Sequence, residues 1–173
     1  VGGKDTRKAI ALLAYLAVSG RSQTREALAA LLWPDYDDQH ARAALRRTLS
    51  ALRTALDEPH LAVDRETVAL IPGAGLWLDV AEFRARLAAC QTHGHAPADV
   101  CPACLTPLAE AAALYRDDFL AGFTLRDSAD FDDWQRLQAE NLRGELAAAL
   151  EKLAHGYAAQ EDFAPALDAA RRW

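Results

Sequence analysis

Residues 37–56, DDQHARAALRRTLSALRTAL, fix the reading of the whole chain. At 100° per residue, Ala41, Leu45, Leu49, Leu52 and Leu56 fall within about 80° of one another, an apolar stripe for packing against other helices. Arg42, Arg46 and Arg53 cluster beside that stripe, and Gln39, Ala43, Ser50, Thr54 and Arg47 continue round the outward face. No carboxylate lies between Asp38 and Asp57. Such a polar, cationic face can meet phosphates without repulsion. It also fits a solvated arginine-rich helix, and the segment alone leaves both readings open.

Working outward, Thr6 is the expected N-cap of a first helix through RKAIALLAYLAV, with Ile10, Leu13, Ala14 and Ala17 on one face and Ser19-Gly20 at its end. Thr24 starts a second helix, with Glu26 in its positive first turn, Leu28, Leu31 and Leu32 on the core side and Trp33-Pro34 as the stop. With residues 37–56 as the third helix, this order makes a helix-turn-helix candidate. After Asp57-Glu58-Pro59 the apolar period becomes two: Leu61 and Val63, then Val68 and Leu70, flank the turn Asp64-Arg65-Glu66-Thr67. That pattern predicts a β-hairpin, the wing of a winged helix. Residues 71–75 form a Pro/Gly loop, and Leu76-Trp77-Leu78 is a further short strand candidate.

From Asp79, read as a helix cap with Glu82 three residues on, the chain is helical and rich in Ala and Leu. Helices are expected over 80–89, over 107–115 with Thr106 as cap and Pro107 at the first position, and from 129 to about 155 after Ser128. Asp130, Asp132 and Asp133 lie in the first turn of the last of these, where the helix dipole favours them. A final helix begins within 160–173, with Phe163, Ala166, Leu167 and Ala170 at helical spacing. Residues 145–159 and 162–173 have the small-residue pattern of a helical-hairpin repeat, though one partial repeat sets no period.

The 173 residues, 51% hydrophobic, suffice for a sizeable core in one or two domains. No apolar run approaches a membrane span and VGGKDTRK has no signal-peptide character, so no membrane partner and a cytoplasmic location are expected. From the lack of Met, the start at Val1 and the helical pattern running into Trp173, a piece of a longer protein is expected. The net charge of −6 is unevenly spread: residues 1–60 carry nine Lys/Arg and seven Asp/Glu, and residues 61–173 ten and eighteen. A mildly basic front and an acidic back fit a DNA-binding module joined to a protein-contacting one.

Cys90-Gln-Thr-His93 and Cys101-Pro-Ala-Cys104 are two chelating pairs of two-residue spacing. Together, Cys90, His93, Cys101 and Cys104 would complete a closed tetrahedral structural zinc site, with His95 competing for the place of His93. Free thiols and a redox CxxC are the alternatives, the latter without a surrounding βαβ pattern. A zinc deaminase is rejected, since position 95 is His where the required glutamate would stand and Cys101 follows Val100. Trp33-Pro34-Asp35 is similar to the mobile loop of tyrosine phosphatases, but no Cys-x5-Arg loop accompanies it. With no nucleophile–base pair, phosphate loop or open metal site, an enzyme is not expected.

The segments RKAIALLAYLAVSGRSQTREALAALLWPD, ARAALRRTLSALRTAL, VDRETVAL, LWLDVAEF and YRDDFLAGFTLRDSADFDDWQ, in that order, resemble the SARP-type (Streptomyces antibiotic regulatory protein) transcriptional regulators. The resemblance implies a winged helix-turn-helix, here residues 1–78, followed by a tetratricopeptide-like bacterial transcriptional activator domain, residues 79–173. It implies a mainly α protein that binds double-stranded promoter DNA and contacts RNA polymerase to activate transcription. Family members usually carry strands before the first helix, whereas this chain starts almost at it.

The expected function is therefore a sequence-specific DNA-binding regulator, with a homodimer on repeated sites as a candidate assembly. The 37–56 helix enters the major groove, with Gln39, Arg42, Arg46, Arg47, Ser50 and Arg53 as contact candidates and Arg65 reaching out from the wing. Arg7, Lys8, Arg21 and Arg25 are either phosphate contacts or solubilising charges. A scaffold module that binds only proteins is the competing expectation.

Overall fold

The computed structural model describes residues 3–56, 60–71, 75–96 and 99–173, over which the chain is mainly helical with one small sheet. It divides into two compact units, Val1–Trp77 with Gly122–Arg136, and Leu78–Ala121 with Leu137–Trp173. The Gly122–Arg136 stretch, which the sequence reading assigns to the back domain, thus packs with the front one.

In the first unit, α1 (Gly3–Ser19), α2 (Arg25–Leu32) and α3 (Asp38–Leu56) enclose the fully buried Leu12, Leu16, Leu28, Leu32 and Leu45. Thr6 lies within α1, three residues past its start, and is not its cap. The buried face of α1 is Lys8, Ala11, Leu12 and Leu16, on the side opposite the expected one, and Ile10 is 43% exposed. Thr24 does cap α2, its hydroxyl accepting from the Ala27 N–H at 3.1 Å. Asp37 does the same for α3, accepting from the His40 N–H at 2.9 Å, and that bond holds its carboxyl below the usual range. Along α3 the buried stripe is Ala41, Ala44, Leu45, Thr48, Leu49 and Leu52. Ala44 and Thr48 widen it on the flank away from Arg42, Arg46 and Arg53.

Strands β1 (Gln23–Thr24), β2 (Leu61–Val63) and β3 (Thr67–Leu70) form an antiparallel sheet in the order β1-β3-β2. Val63 pairs with Val68 and Leu61 with Leu70, so the expected hairpin is present. Its turn is built by Asp64, which accepts from the Glu66 and Thr67 N–H groups at 2.8 and 2.6 Å. The stop at 57–59 and positions 72–74 of the Pro/Gly loop lie outside the described residues. Leu76-Trp77-Leu78 forms no strand, and Trp77 is 63% exposed.

Three anchors hold Gly122–Arg136 to this unit. Phe131 is fully buried. The Ser128 hydroxyl donates to the Leu31 carbonyl at 2.5 Å and accepts from the Phe131 N–H at 3.3 Å, while Lys8 pairs with Asp127 at 2.8 Å. Helix α6 (Ala129–Ala159) starts here and continues into the second unit.

The second unit comprises α4 (Asp79–Ala89), a 3-10 turn (Cys90–His93), α5 (Pro102–Leu114), the body of α6 and α7 (Phe163–Arg172). Its core joins Leu105, Leu108, Ala112, Ala149, Leu150, Leu153 and Ala169. Asp79 is the first residue of α4, following Leu78 at the cap position, and its carboxylate bonds only the next N–H, at 2.7 Å. Helix α5 begins five residues before Pro107. Pro102 takes the first position, where a missing N–H costs nothing, and Pro107 sits inside the helix at the expense of one ladder bond. In α7 the inward residues are Ala166 and Ala169, while Phe163 and Leu167, which share helical spacing with Ala166, are 62% and 57% exposed.

Candidate nucleic-acid interface and metal centre

The outward face of α3 is open: Gln39, Arg42, Arg46, Arg47, Ser50 and Arg53 are all exposed, as is Arg65 in the hairpin turn. Among the described residues, no carboxylate pairs with Arg42, Arg46, Arg47 or Arg65. A groove of about 820 Å³ runs between the first turns of α2 and α3 and the hairpin turn. It gathers Arg25, Arg42, Arg46 and Arg65 with Gln39 and Thr24, and also Glu26, Asp38 and Glu66. Of the seven sequence candidates, four line this groove; Arg47, Ser50 and Arg53 do not. Arg25 is positioned by a bond from its guanidinium to the Asp64 carbonyl at 3.1 Å.

The other cations divide. Arg21 is exposed. Arg7 donates to the Thr124 carbonyl at 2.9 Å and lies 5.7 Å from the Phe123 ring centroid. Lys8 is no phosphate contact: it is 5% exposed, donates to the Leu32 carbonyl and lies 5.8 Å from the Trp33 ring.

In the second unit, His93, His95, Cys101 and Cys104 each bring one ligand atom into a cluster no wider than 4.8 Å, a group that could hold a metal ion. Cys101 Sγ and Cys104 Sγ are 3.6 Å apart. Cys104 Sγ is 3.1 Å from both His93 Nδ1 and His95 Nε2, and Cys101 Sγ is 3.4 Å from His93 Nδ1. Local chain geometry explains the set. Cys101 is the cap of α5 and Cys104 its third residue, so the CxxC pair lies across the helix N-terminus. Gly94, at φ +76°, takes the left-handed conformation that ends the 3-10 turn and swings His95 back alongside His93.

Cys90 departs from the expected ligand set. Its thiol is turned into the core, donating toward the Arg86 and Cys104 carbonyls at 3.9 and 3.7 Å. Burial, and then the Cys104 thiol, push it up to about 11, a protonated thiol. Burial would also raise Cys101, but bonds from the Cys104 thiol and backbone and from His93 outweigh it and bring Cys101 down to about 7. The x2 spacing of Cys90 and His93 therefore misleads, because on the 3-10 turn Cys90 is buried while His93 is exposed. The signal for His95 was the glycine before it.

No helix among the described residues is long and apolar enough to cross a membrane. Models of known protein families give no match to the chain, and curated proteins give none either.

Proposed function

We propose that the chain is a sequence-specific DNA-binding transcription regulator of the SARP type, built as a winged helix-turn-helix and a tetratricopeptide-like helical unit. The observation that carries this reading is the exposed run of Arg42, Arg46 and Arg47 on α3, paired with no carboxylate among the described residues, extended by Arg65 from the hairpin turn and Arg25 from α2. In this reading α2 and α3 are the helix-turn-helix and the β2–β3 hairpin is the wing. The first turns of α3 enter the major groove, where Arg42 and Arg46 reach guanine edges or phosphates and Gln39 reaches adenine. Arg65 and Arg25 meet backbone phosphates. Glu26, Asp38 and Glu66 repel phosphate nearby and narrow the positions a duplex can take. The helical unit contacts RNA polymerase, and its histidine–cysteine cluster carries a structural zinc, the set having two thiolates, two imidazoles and no open position.

The test is binding-site selection from random duplex DNA, followed by gel shifts on the selected site with the Arg46→Ala chain. Losing one base or phosphate contact of roughly 1–3 kcal/mol should weaken binding from several-fold to about a hundredfold. If selection enriches no sequence, the chain is not a sequence-specific reader, and a protein-only scaffold is the better reading. Full affinity in Arg46→Ala would remove α3 from the interface.

A further inference from the structure

We propose that His93 Nδ1, His95 Nε2, Cys101 Sγ and Cys104 Sγ bind a single zinc ion as a closed tetrahedral clasp, with Cys90 outside it in the core. This rests on the zinc reading above and specifies its atoms. Tetrahedral edges are about 1.63 bond lengths, so zinc–ligand bonds near 2.3 Å to sulfur and 2.0–2.1 Å to nitrogen require about 3.8 Å between sulfurs and about 3.5 Å between sulfur and nitrogen. The cluster has 3.6 Å between its sulfurs and 3.1, 3.1 and 3.4 Å for three sulfur–nitrogen pairs. These four distances fall slightly short of the tetrahedral values and all ligand atoms lie within 4.8 Å of one another, so small side-chain adjustments bring the set onto one ion. A two-iron centre with two histidines and two cysteines puts the nitrogens and sulfurs on different irons. Here each histidine nitrogen touches a sulfur instead.

The second observation is the tautomer of His95. Its Nδ1 is 3.0 Å from the Ala96 carbonyl, which can only accept, so in the neutral imidazole that a metal requires Nδ1 carries the proton. That leaves the Nε2 lone pair facing Cys104 Sγ, the outer-sphere arrangement that orients metal-bound imidazoles. The CxxC pair supplies the charge. Both sulfurs lie at the N-terminus of α5, Cys101 as its cap and Cys104 in its first turn, so one short stretch of backbone presents both to the same ion. Cys90 lacks all of this: its sulfur is buried in the core, 3.9 and 3.7 Å from the Arg86 and Cys104 carbonyl oxygens, and is not one of the clustered ligand atoms.

Two neutral imidazoles and two thiolates make a neutral complex with a divalent ion, suited to a half-buried position. Its work is mechanical. The ion ties the exposed Gly94 turn to the first turn of α5, whose Cys104 and Leu105 are anchored in the core.

The experiment uses the whole chain, purified without chelator, with elemental analysis for zinc, iron and copper and cobalt substitution as a second readout. One zinc per chain is expected. His95→Ala and Cys101→Ser should lose it, Cys90→Ala should keep it, and the cobalt form should show the intense visible bands of a four-coordinate site with sulfur-to-metal charge transfer, unchanged in Cys90→Ala. Zinc kept in His95→Ala and lost in Cys90→Ala would overturn this ligand set while leaving zinc in place. A folded, metal-free chain with three freely titrating thiols would overturn the zinc reading itself, as would stoichiometric iron or copper. If His95→Ala fails to fold, the cobalt spectra of the parent and Cys90→Ala chains decide alone. Failure of the DNA reading shows only in the gel shifts and leaves the zinc count unchanged.

Discussion

Lys8 is a cation with almost no solvent, held by the Leu32 carbonyl, the Asp127 carboxylate and the Trp33 ring. Leu32 ends α2, so its carbonyl has no helical partner and Lys8 supplies the missing donor. Lys8→Ala should cost roughly 1–3 kcal/mol, mainly through that orphaned carbonyl; half-exposed Asp127 adds less. Urea unfolding measures it, and a loss under roughly 0.5 kcal/mol would show that water replaces the ammonium. The same residue explains why the face of α1 was misread. A lysine in the middle of the buried stripe looks polar, so the sequence pattern favoured the opposite side. A second residue-scale prediction concerns pH. Arg143 grips Asp118 through two bonds of 2.7 Å, and Tyr115 adds a third, holding that carboxyl down at about 2. A depressed carboxyl stabilises the fold above its unfolded value near 3.8, and the effect disappears as pH falls toward about 2. The melting-temperature gap between the parent and Asp118→Asn should therefore be constant near neutrality and close below about pH 4.

At the scale of elements, α6 carries two glycines with opposite surroundings. At Gly144 a Cβ would meet nothing within 4 Å. At Gly156 it would come within 2.6 Å of Leu105 Cδ2 and 2.9 Å of Val100 Cγ1, the residues flanking the cysteine pair of α5. Gly144→Ala should stabilise by up to about 1 kcal/mol through helix propensity alone. Gly156→Ala gains the same propensity but overpacks a core, a penalty of typically 1–3 kcal/mol, and should come out less stable than the parent. Equal gains in thermal melts would mean Leu105 moves aside freely. Elements were legible where a local group sets a boundary: Thr24 at α2, the Asp64 turn of the hairpin, Ser128 before α6. They were misread where boundary or face depends on partners. Pro102 and Pro107 are both compatible with a helix start, and only packing selects the first. In α7 the larger Phe163 and Leu167 stay outside because Ala166 and Ala169 allow a closer approach to the core.

At the scale of the whole molecule, the split at residue 60 overstated the positive charge of the front. With Gly122–Arg136 included, the first unit carries twelve Lys/Arg against thirteen Asp/Glu, and the second seven against twelve. Neither unit is basic, so attraction to DNA on the proposed reading has to be local. It comes from Arg25, Arg42, Arg46 and Arg65 around one groove. Asp127 and Asp132, which cancel the charge on paper, are committed to Lys8 and to the Leu125 N–H. This distinction is measurable through counterion release. Four guanidiniums on phosphates give a slope of log Kobs against log salt near −3.6, at about −0.9 per contact. Replacing both Arg42 and Arg46 by Ala should flatten that slope by about 2, whatever the loss in affinity. If instead affinity falls and the slope holds, the two arginines read bases and the phosphates are met elsewhere. A parent slope twice as steep would require cations beyond the groove, with the exposed Arg47, Arg53 and Arg21 to replace next.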